Sequence, residues 1–272
     1  MVARFFKQVA RHFSNEVAVI TPNARVLSHD PAEGLKKWQA LPKAERKCLD
    51  DFGKYDSRLD PAPPPKGLIL KVFARGLNRD AAGRLQIYRT KVARSFEPGR
   101  DHLWLTEAEA RSLLPARAKK GAQVNVAKPL VDRICRRYLI DLVRVGGNGG
   151  PRRPEEVLAE EMRITVEESS ERSLRLRLDG SARLMTSDVG SGARGKQGKV
   201  DTFQLLGFLT YDVPKKTFTR FDVVAFSETG HFDEINKKTL PFGVAFELSR
   251  GATPAERVPP SSFAKEYFGK GR

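Results

Sequence analysis

The second half of the chain is filled with short runs in which apolar and polar residues alternate. The clearest run puts Leu174, Leu176 and Leu178 on one face and arginines on the other. A period of two is typical of a strand with one buried and one wet face, as antiparallel sheets allow. Comparable runs recur at hairpin spacing from residue 67 onward. They predict an α+β protein built on an antiparallel β-rich sandwich or partly closed barrel.

Residues 207–226 read GFLTYDVPKKTFTRFDVVAF, which is two apolar runs separated by a turn. The proline and its polar neighbours suit that turn, so the segment predicts a β-hairpin with lysines at its exposed tip. Apolar residues fall on both faces of the two runs, with Leu206, Phe208 and Val224 on the second face. We therefore expect both strands to be central and covered on both sides. A barrel interior that holds a ligand is the alternative, because it shows the same pattern.

Helical periodicity marks a segment that would pack on this sheet. Over Pro129–Val145 the apolar residues repeat at spacing four, and arginines occupy the other side. This pattern predicts an amphipathic helix that the glycines of residues 146–150 bring to an end. Upstream, Thr106 and Glu109 form a capping box, which predicts a shorter helix that begins there.

The first 45 residues differ in pattern from the rest. Apolar spacing predicts a helix over residues 1–14, a β-hairpin follows, and Asp30 suits the N-cap of a second helix. Residues 46–66 are polar and end in three consecutive prolines, which favours a semi-rigid linker. We therefore divide the chain into an N-terminal part at 1–45, a linker at 46–66 and a β-rich domain at 67–268.

Composition places the chain among folded, soluble proteins. Of its 272 residues, 40% are hydrophobic and 30% are charged. Its apolar runs all fall short of the roughly 20 residues that cross a bilayer. The two cysteines, Cys48 and Cys135, are far apart and form no CxxC motif, so neither a disulfide framework nor a zinc ribbon is supported. The two could pair only if the fold brought their Cα atoms to about 5.5 Å. We expect both thiols to be free and Cys135 to be buried on the apolar side of its helix.

A net charge of +16 and an isoelectric point of about 10.0 favour contact with anions. The basic residues are spread along the whole chain, so a basic surface that only keeps the protein soluble is the alternative. Local charge density selects five candidates for anion binding: Lys119, Lys120, Arg133, Arg136 and Arg137. Aromatic residues for base stacking are sparse around them.

The sequence contains no motif that assembles a catalytic or cofactor site. GSGARG at residues 190–195 has the form of a phosphate-binding loop, but the run after it predicts a strand and not the required helix. The four histidines lack metal-ligand spacing. His231 with Asp233 and Glu234 fits a solvated turn better than a calcium site. We therefore expect no cofactor and no metal, and favour a protein that is not an enzyme.

Several phrases of the β-rich domain carry a family resemblance. They are DHLWLTEAEARSLL at 101–114, LLGFLTYDVPKKTFTRFDVVAF at 205–226 and PFGVAFELSRG at 241–251. These phrases are similar to uncharacterised bacterial proteins of planctomycete type, and the resemblance covers residues 67–268. It implies homology with that family but no biochemical role.

In such proteins the preceding segment often looks like a thioredoxin fold. Residues 15–41 resemble the closing hairpin and last helix of that fold. A thioredoxin-like protein carries CxxC near its start, and neither Cys48 nor Cys135 matches a position of that motif. The resemblance therefore implies that residues 1–45 are the C-terminal half of such a domain, without its redox activity.

These observations favour a non-catalytic binding or structural accessory protein whose ligand the sequence leaves open. One alternative is a basic module that binds nucleic acid or another polyanion. Another is a fragment of a thioredoxin-like redox protein that lacks its CxxC. We expect a cytoplasmic location from this chain, and an extracytoplasmic one if the natural start lies upstream of Met1.

Overall fold

The structure is a computed structural model, and it describes residues 19–21, 26–46, 62–88, 99–141, 143, 151–186, 199–233, 238–251, 256, 259–260 and 267. The chain forms two compact units, Met1–Asp60 and Pro61–Arg272. The helices of the described residues are α1 Pro31–Ala40, α2 Lys43–Arg46, α3 Glu107–Ser112 and α4 Lys128–Arg137. The strands are β1 Val19–Ile20, β2 Val26–Ser28, β3 Leu68–Arg79, β4 Leu85–Ile87, β5 Gly99–Leu105, β6 Gln123–Asn125, β7 Val157–Ser169, β8 Ser173–Thr186, β9 Lys199–Asp212, β10 Thr217–Asp233 and β11 Lys238–Leu248.

In the first unit, a hairpin of β1 and β2 is followed by α1. The Asp30 side chain accepts a 2.7 Å hydrogen bond from the Glu33 backbone N–H, so it caps α1 as predicted. Gly34 is the buried residue of α1, and a Cβ there would lie 2.4 Å from Val19 Cγ2. The helix therefore approaches the hairpin through its smallest residue. The helix predicted over residues 1–14 lies outside the described residues.

The second unit is built on one antiparallel sheet. Its strand order is β4-β3-β11-β10-β9-β8-β7-β6, and β5 also pairs with β3. Strand β3 has twelve residues and can therefore pair with both strands: its first part pairs with β5 and its last residues pair with β4. The described strands leave β4 and β6 at opposite ends of the order, so the sheet is not closed. The predicted α+β class, with an antiparallel β-rich domain and a packed helix, is confirmed.

Strands β7 to β11 follow one another as an antiparallel meander, so alternate connections lie at the same end of the sheet. Residues 170–172 join β7 to β8, and residues 213–216 join β9 to β10, as the hairpin prediction required. The Val213 N–H donates to the Arg172 carbonyl at 2.9 Å and ties the two turns together. We call this end of the sheet, at which the two turns lie, the turn end.

The inner face of the sheet carries the core, and α4 packs on it. Leu176, Leu178 and the other alternate residues of β8 are buried there as predicted. Leu130, Val131 and Cys135 supply the buried side of α4. Burying one such leucine side chain contributes about 2 kcal/mol. The inner face is therefore the source of most of the stabilisation of this unit.

The outer face differs from the prediction. Leu206, Phe208 and Val224 were expected to be covered, but they are 50%, 39% and 52% exposed. The helix covers the inner face only, and no element in the described part of the chain shields these three side chains. The expectation that the hairpin strands are buried on both sides is therefore wrong. We call these three residues the outer patch.

The α4 helix is shorter than predicted and ends at Arg137 instead of Val145, with Tyr138 as its C-cap. The guanidinium of Arg152 lies at this end of the helix, where it donates to the Cys135 carbonyl of the last turn at 3.4 Å and to the Leu139 carbonyl just beyond the helix. The same guanidinium donates to the Met185 carbonyl of β8 at 3.2 Å. An arginine therefore replaces the further helical turn and fastens the end of α4 to the sheet.

We expect Arg152→Lys to lower the free energy of unfolding by about 2 kcal/mol. A single ammonium cannot reach the helix carbonyls and the Met185 carbonyl together, and a buried carbonyl left without its donor costs this much. Urea unfolding followed by fluorescence in a Trp38→Phe background, in which Trp104 is the remaining tryptophan, measures the change. Arg183→Lys, at an exposed position of β8, is the control and should leave the midpoint unchanged. Equal midpoints for the two variants would contradict the bridging role of Arg152.

Candidate functional site

Lys119 and Lys120 lie at the turn end, in the connection between α3 and β6. That connection is held against the end of β7 by two hydrogen bonds. The Ser169 hydroxyl donates to the Ala118 carbonyl at 2.5 Å, and the Gly121 N–H donates to the Val166 carbonyl at 2.8 Å. Both lysine side chains are exposed. These two hydrogen bonds therefore fix the position of the backbone that carries Lys119 and Lys120.

Other cations join them at the turn end. We define the turn-end cluster as five exposed residues on three neighbouring segments: Arg117, Lys119, Lys120, Arg172 and Lys216. Among the described residues, none of the five forms an ion pair, whereas Arg175 and Lys215 beside them pair with Glu168 and Asp212. Glu171 is an exposed acid in the same turn. Glu171 offsets part of the charge, but in the described residues none of the five cations is held in an ion pair.

Positive charge continues along the same end of the sheet. The register of β3, β11 and β10 places Lys66 and Arg250, both exposed, just beyond the ends of β3 and β11 on this side. A linear anion that lay along this end of the sheet would pass from the Lys119–Lys120 connection, beside β6, to Lys66, before β3.

Lys216 has a backbone conformation that usually selects glycine. Its φ is 52°, in the left-handed region, where a side chain costs on the order of 1 kcal/mol. It closes the β9–β10 turn, and its N–H donates to the Val213 carbonyl at 3.3 Å. A lysine in a position that glycine fits better is consistent with a use for its charge.

Arg136 and Arg137 stand apart from the turn end, on the last turn of α4. The Arg136 Nε donates to the Arg152 carbonyl at 2.8 Å, and the Arg137 guanidinium lies 5.7 Å from the centre of the Tyr267 ring. Burial and, to a smaller degree, the neighbouring Arg136 lower the pKa of Arg137 from its ordinary value. Both side chains are half-buried.

Arg133 is an internal residue and is 5% exposed. Its guanidinium pairs with Glu109 at 2.9 Å and donates to the Trp104 and Tyr267 carbonyls at 3.3 and 3.2 Å. It also lies 4.8 Å from the centre of the Tyr267 ring. These partners join α3, β5 and Tyr267 to α4. In this structure the group is directed to the interior and away from any external anion.

The five predicted anion-binding residues therefore fall into separate places. The Lys119–Lys120 connection meets β7 near Val166, whereas Lys128, at the start of α4, pairs with Glu160 of the same strand. Val166 and Glu160 are six strand residues apart, so the Lys119–Lys120 connection and the start of α4 meet β7 at points about 20 Å from each other. Arg117, Arg172 and Lys216 were not among the residues predicted from the sequence. Alternate turns of a meander must share one end of the sheet, which would have grouped Arg172 with Lys216.

A buried hydrogen-bond chain lies beside Arg133. The Trp104 N–H donates to the Tyr267 hydroxyl at 3.1 Å, and the Tyr138 hydroxyl donates to the His102 carbonyl at 2.8 Å. The two hydroxyl oxygens are 2.5 Å apart, and the proton between them comes from Tyr267 because that of Tyr138 is already used. Burial raises the pKa of Tyr267 to about 12 and raises the pKa of Tyr138 as well. Both phenols are therefore neutral at physiological pH.

The apolar gap between α4 and the sheet is not a preformed pocket of ligand size. A cavity of about 20 Å³ lies between α4 and the sheet, and apolar side chains such as Leu130, Phe221 and Phe246 line it. Pockets for small molecules usually measure about 300–1,000 Å³. This cavity is a packing gap of about the size of one water molecule. The alternative of a ligand-lined barrel interior therefore has no support from it.

Within the described residues, no group of three or more His, Cys, Asp or Glu side chains could hold a metal ion. Cys135 is a free, fully buried thiol, as predicted, and burial raises its pKa to about 12. Thiolate chemistry at neutral pH is not expected from such a group. Cys48, residues 190–195 and the side chains around His231 lie outside the described part of the chain. No helix of the described residues is long and apolar enough to cross a membrane.

Comparisons with known proteins do not add an assignment. No protein-family model, curated protein or solved structure matches the chain. The resemblance to planctomycete-type proteins and to the end of a thioredoxin fold therefore stays a prediction.

We expect Arg133→Met to lower the free energy of unfolding by about 3 kcal/mol, because it removes the cation that pairs with Glu109 and donates to the Trp104 and Tyr267 carbonyls. Urea unfolding at neutral pH measures the loss. The double variant Arg133→Met, Glu109→Gln should lose less than the single variant, since it removes the stranded charge as well. An Arg133→Met protein as stable as the parent would show that the pair contributes nothing.

The buried thiol predicts a pH dependence. An unfolded thiol ionises near pH 8.5, whereas burial raises the pKa of Cys135 to about 12. Its contribution to stability is fully present below the lower value and is lost as the pH rises through this window, at up to about 1.4 kcal/mol per pH unit. Urea unfolding between about pH 8 and pH 9.5 should therefore show a steeper decline for the parent than for Cys135→Ala. Parallel slopes would contradict the assignment.

Proposed function

We propose that the protein is a non-catalytic binding module and that its ligand is a linear polyanion held at the turn end. The turn-end cluster carries this proposal, because its five exposed cations have no ion-pair partner among the described residues. Elsewhere on the sheet most arginines are neutralised locally, as Arg177 is by Asp179 at 2.8 Å. Net charge alone therefore does not account for the grouping.

The chemistry of the cluster suits phosphate or sulfate groups along a chain. Lysine and arginine side chains neutralise such groups and release their counterions, which makes binding depend steeply on salt. The three segments that carry the cations are fixed by backbone hydrogen bonds, so the cluster needs little ordering when a ligand arrives. The cluster contains no aromatic side chain, so recognition through charge is expected rather than recognition of bases.

The net charge of +16 supports the same ligand class at longer range, because it favours encounter with any anion. The apolar interior and the neutral buried phenols offer no competing reaction centre in the described residues. The proposal therefore joins the leading interpretation of the sequence, a non-catalytic binding protein, to its first alternative, a polyanion ligand.

The test is a titration of a fluorescent single-stranded oligonucleotide at several salt concentrations, with heparin in a second series. Lys119→Gln with Lys120→Gln should weaken binding about tenfold at low salt and reduce the slope of log K against log salt by about 1.4. The control is Lys36→Gln with Arg183→Gln, which removes the same charge at exposed positions elsewhere. Equal losses in the two double variants would mean that net charge, and not the cluster, does the binding.

Lys216→Gly separates binding from folding in the same assay. Glycine relieves the left-handed strain, so the variant should gain stability of about 1 kcal/mol while it loses affinity for both probes. A more stable protein with unchanged affinity would remove Lys216 from the cluster. A parent protein that binds neither probe at low salt would overturn the proposed function.

A further inference from the structure

Two lysines at the turn end share a backbone conformation that usually selects glycine. Lys66 has a φ of 55° and Lys216 a φ of 52°, and they are the two non-glycine residues of positive φ in the described part of the chain. Lys66 precedes β3 and Lys216 precedes β10, two strands away in the sheet. Strained residues of this kind tend to gather at functional sites. The repeated choice of lysine extends the site from the turn-end cluster toward β3.

Arg250 stands beside Lys66. It follows β11, which pairs with β3, and the Ser249 N–H donates to the Ile69 carbonyl of β3 at 2.8 Å. This hydrogen bond fixes the backbone next to Arg250 against the start of β3. Lys66 and Arg250 are both exposed, and within the described ranges neither of them forms an ion pair.

Cations therefore occupy four positions along the turn end. These positions are Lys119–Lys120 before β6, Arg172 between β7 and β8, Lys216 between β9 and β10, and Lys66 with Arg250 beside β3 and β11. Paired strands lie about 4.8 Å apart, so the separations are about 7–10 Å and the whole row is about 25–30 Å long. The separations are uneven. A chain with a charge on every link can meet all four positions, whereas a sparsely charged chain would have to match them.

The row of cations also follows the twist of the sheet. Neighbouring strands are rotated by about 20° relative to one another, so the six steps from β6 to β3 turn the row through about 120°. Double-stranded DNA has a persistence length of about 150 bp and stays straight over so short a distance. A duplex would therefore touch part of the row, whereas an unpaired strand bends and can follow all of it.

We propose that the turn end binds single-stranded nucleic acid by its phosphate backbone, with the bound strand running across the sheet from β6 to β3. This inference rests on the polyanion site proposed above and narrows its ligand to a flexible chain with a phosphate on every link. Each position alone binds a phosphate weakly. Binding at one position raises the effective concentration of the strand at the next, so affinity depends on the length of the strand.

Titration of the full chain with fluorescent oligodeoxythymidine at constant salt tests this length dependence. Nucleotides advance about 3.4 Å each along a strand, so a strand of about 12 nucleotides covers the row and one of about 4 nucleotides reaches two positions at most. The longer strand should bind at least about thirtyfold more tightly than the shorter one. A gain of only about threefold, the ratio of the lengths, would mean that the positions do not act together.

The variant Lys66→Gln with Arg250→Gln removes the position farthest from Lys119–Lys120. It should weaken binding of the longer strand about tenfold and that of the shorter strand by less than about twofold, because the shorter strand can use the other positions. The matched control is Arg100→Gln with Arg183→Gln, which removes the same charge at exposed sites away from the turn end. Equal losses of affinity in the two double variants would overturn the extended row.

Two further ligands test the kind of chain. A duplex of about 12 base pairs carries twice the charge of the longer strand but should bind less tightly at the same salt concentration, because it cannot follow the row. Tighter binding of the duplex, or equal binding of a chondroitin sulfate fragment of the same length, would contradict the assignment to single-stranded nucleic acid. A protein that binds heparin but no oligonucleotide would refute this ligand alone, whereas binding of neither would refute the polyanion site itself.

Discussion

Two buried guanidinium groups hold α4 inside the sheet, and the rest of the second unit depends on that attachment. Arg133 binds the middle of the helix to α3, β5 and Tyr267, and Arg152 binds its end to β8. Burying an arginine is costly unless its donors are satisfied, so both positions require carbonyls arranged around them. The helix is consequently fixed in one place on the inner face, and none of the described elements covers the outer face.

The sequence predicted the elements of the β-rich domain better than their coverage. The alternation of apolar and polar residues in β8 and the turn after Asp212 predicted the β8 strand and the β9–β10 hairpin correctly. Both signals are local in the sequence, so they do not depend on distant parts of the chain. The apolar second face of Leu206, Phe208 and Val224 was misassigned, because a pattern cannot say whether a partner lies over a face. The end of α4 was misplaced for a related reason. Arg152 stops the helix from fifteen positions beyond Arg137, and capping from outside the helix leaves no local mark.

The candidate site was predicted in part. Lys119 and Lys120 belong to the turn-end cluster, whereas Arg136 and Arg137 lie on α4 and Arg133 serves the interior. Charge density along the chain selected the α4 arginines together with the two lysines, because it carries no information on burial. Strand topology predicts the cluster better, because alternate turns of a meander lie at the same end of the sheet whatever their separation in sequence. The order of the predicted strands alone is enough to group Arg172 with Lys216.

The pairing of β3 with β11 has a consequence for synthesis. Leu70 lies opposite Leu248, so the first long strand of the unit meets its partner only after about 180 further residues have been made. Until then one edge of β3 has no partner of its own, and such edges invite association with other chains. Ribosomes that stall before β11 would release a chain unable to complete its sheet. Quality control of this protein should therefore act mainly on products truncated near the C-terminus.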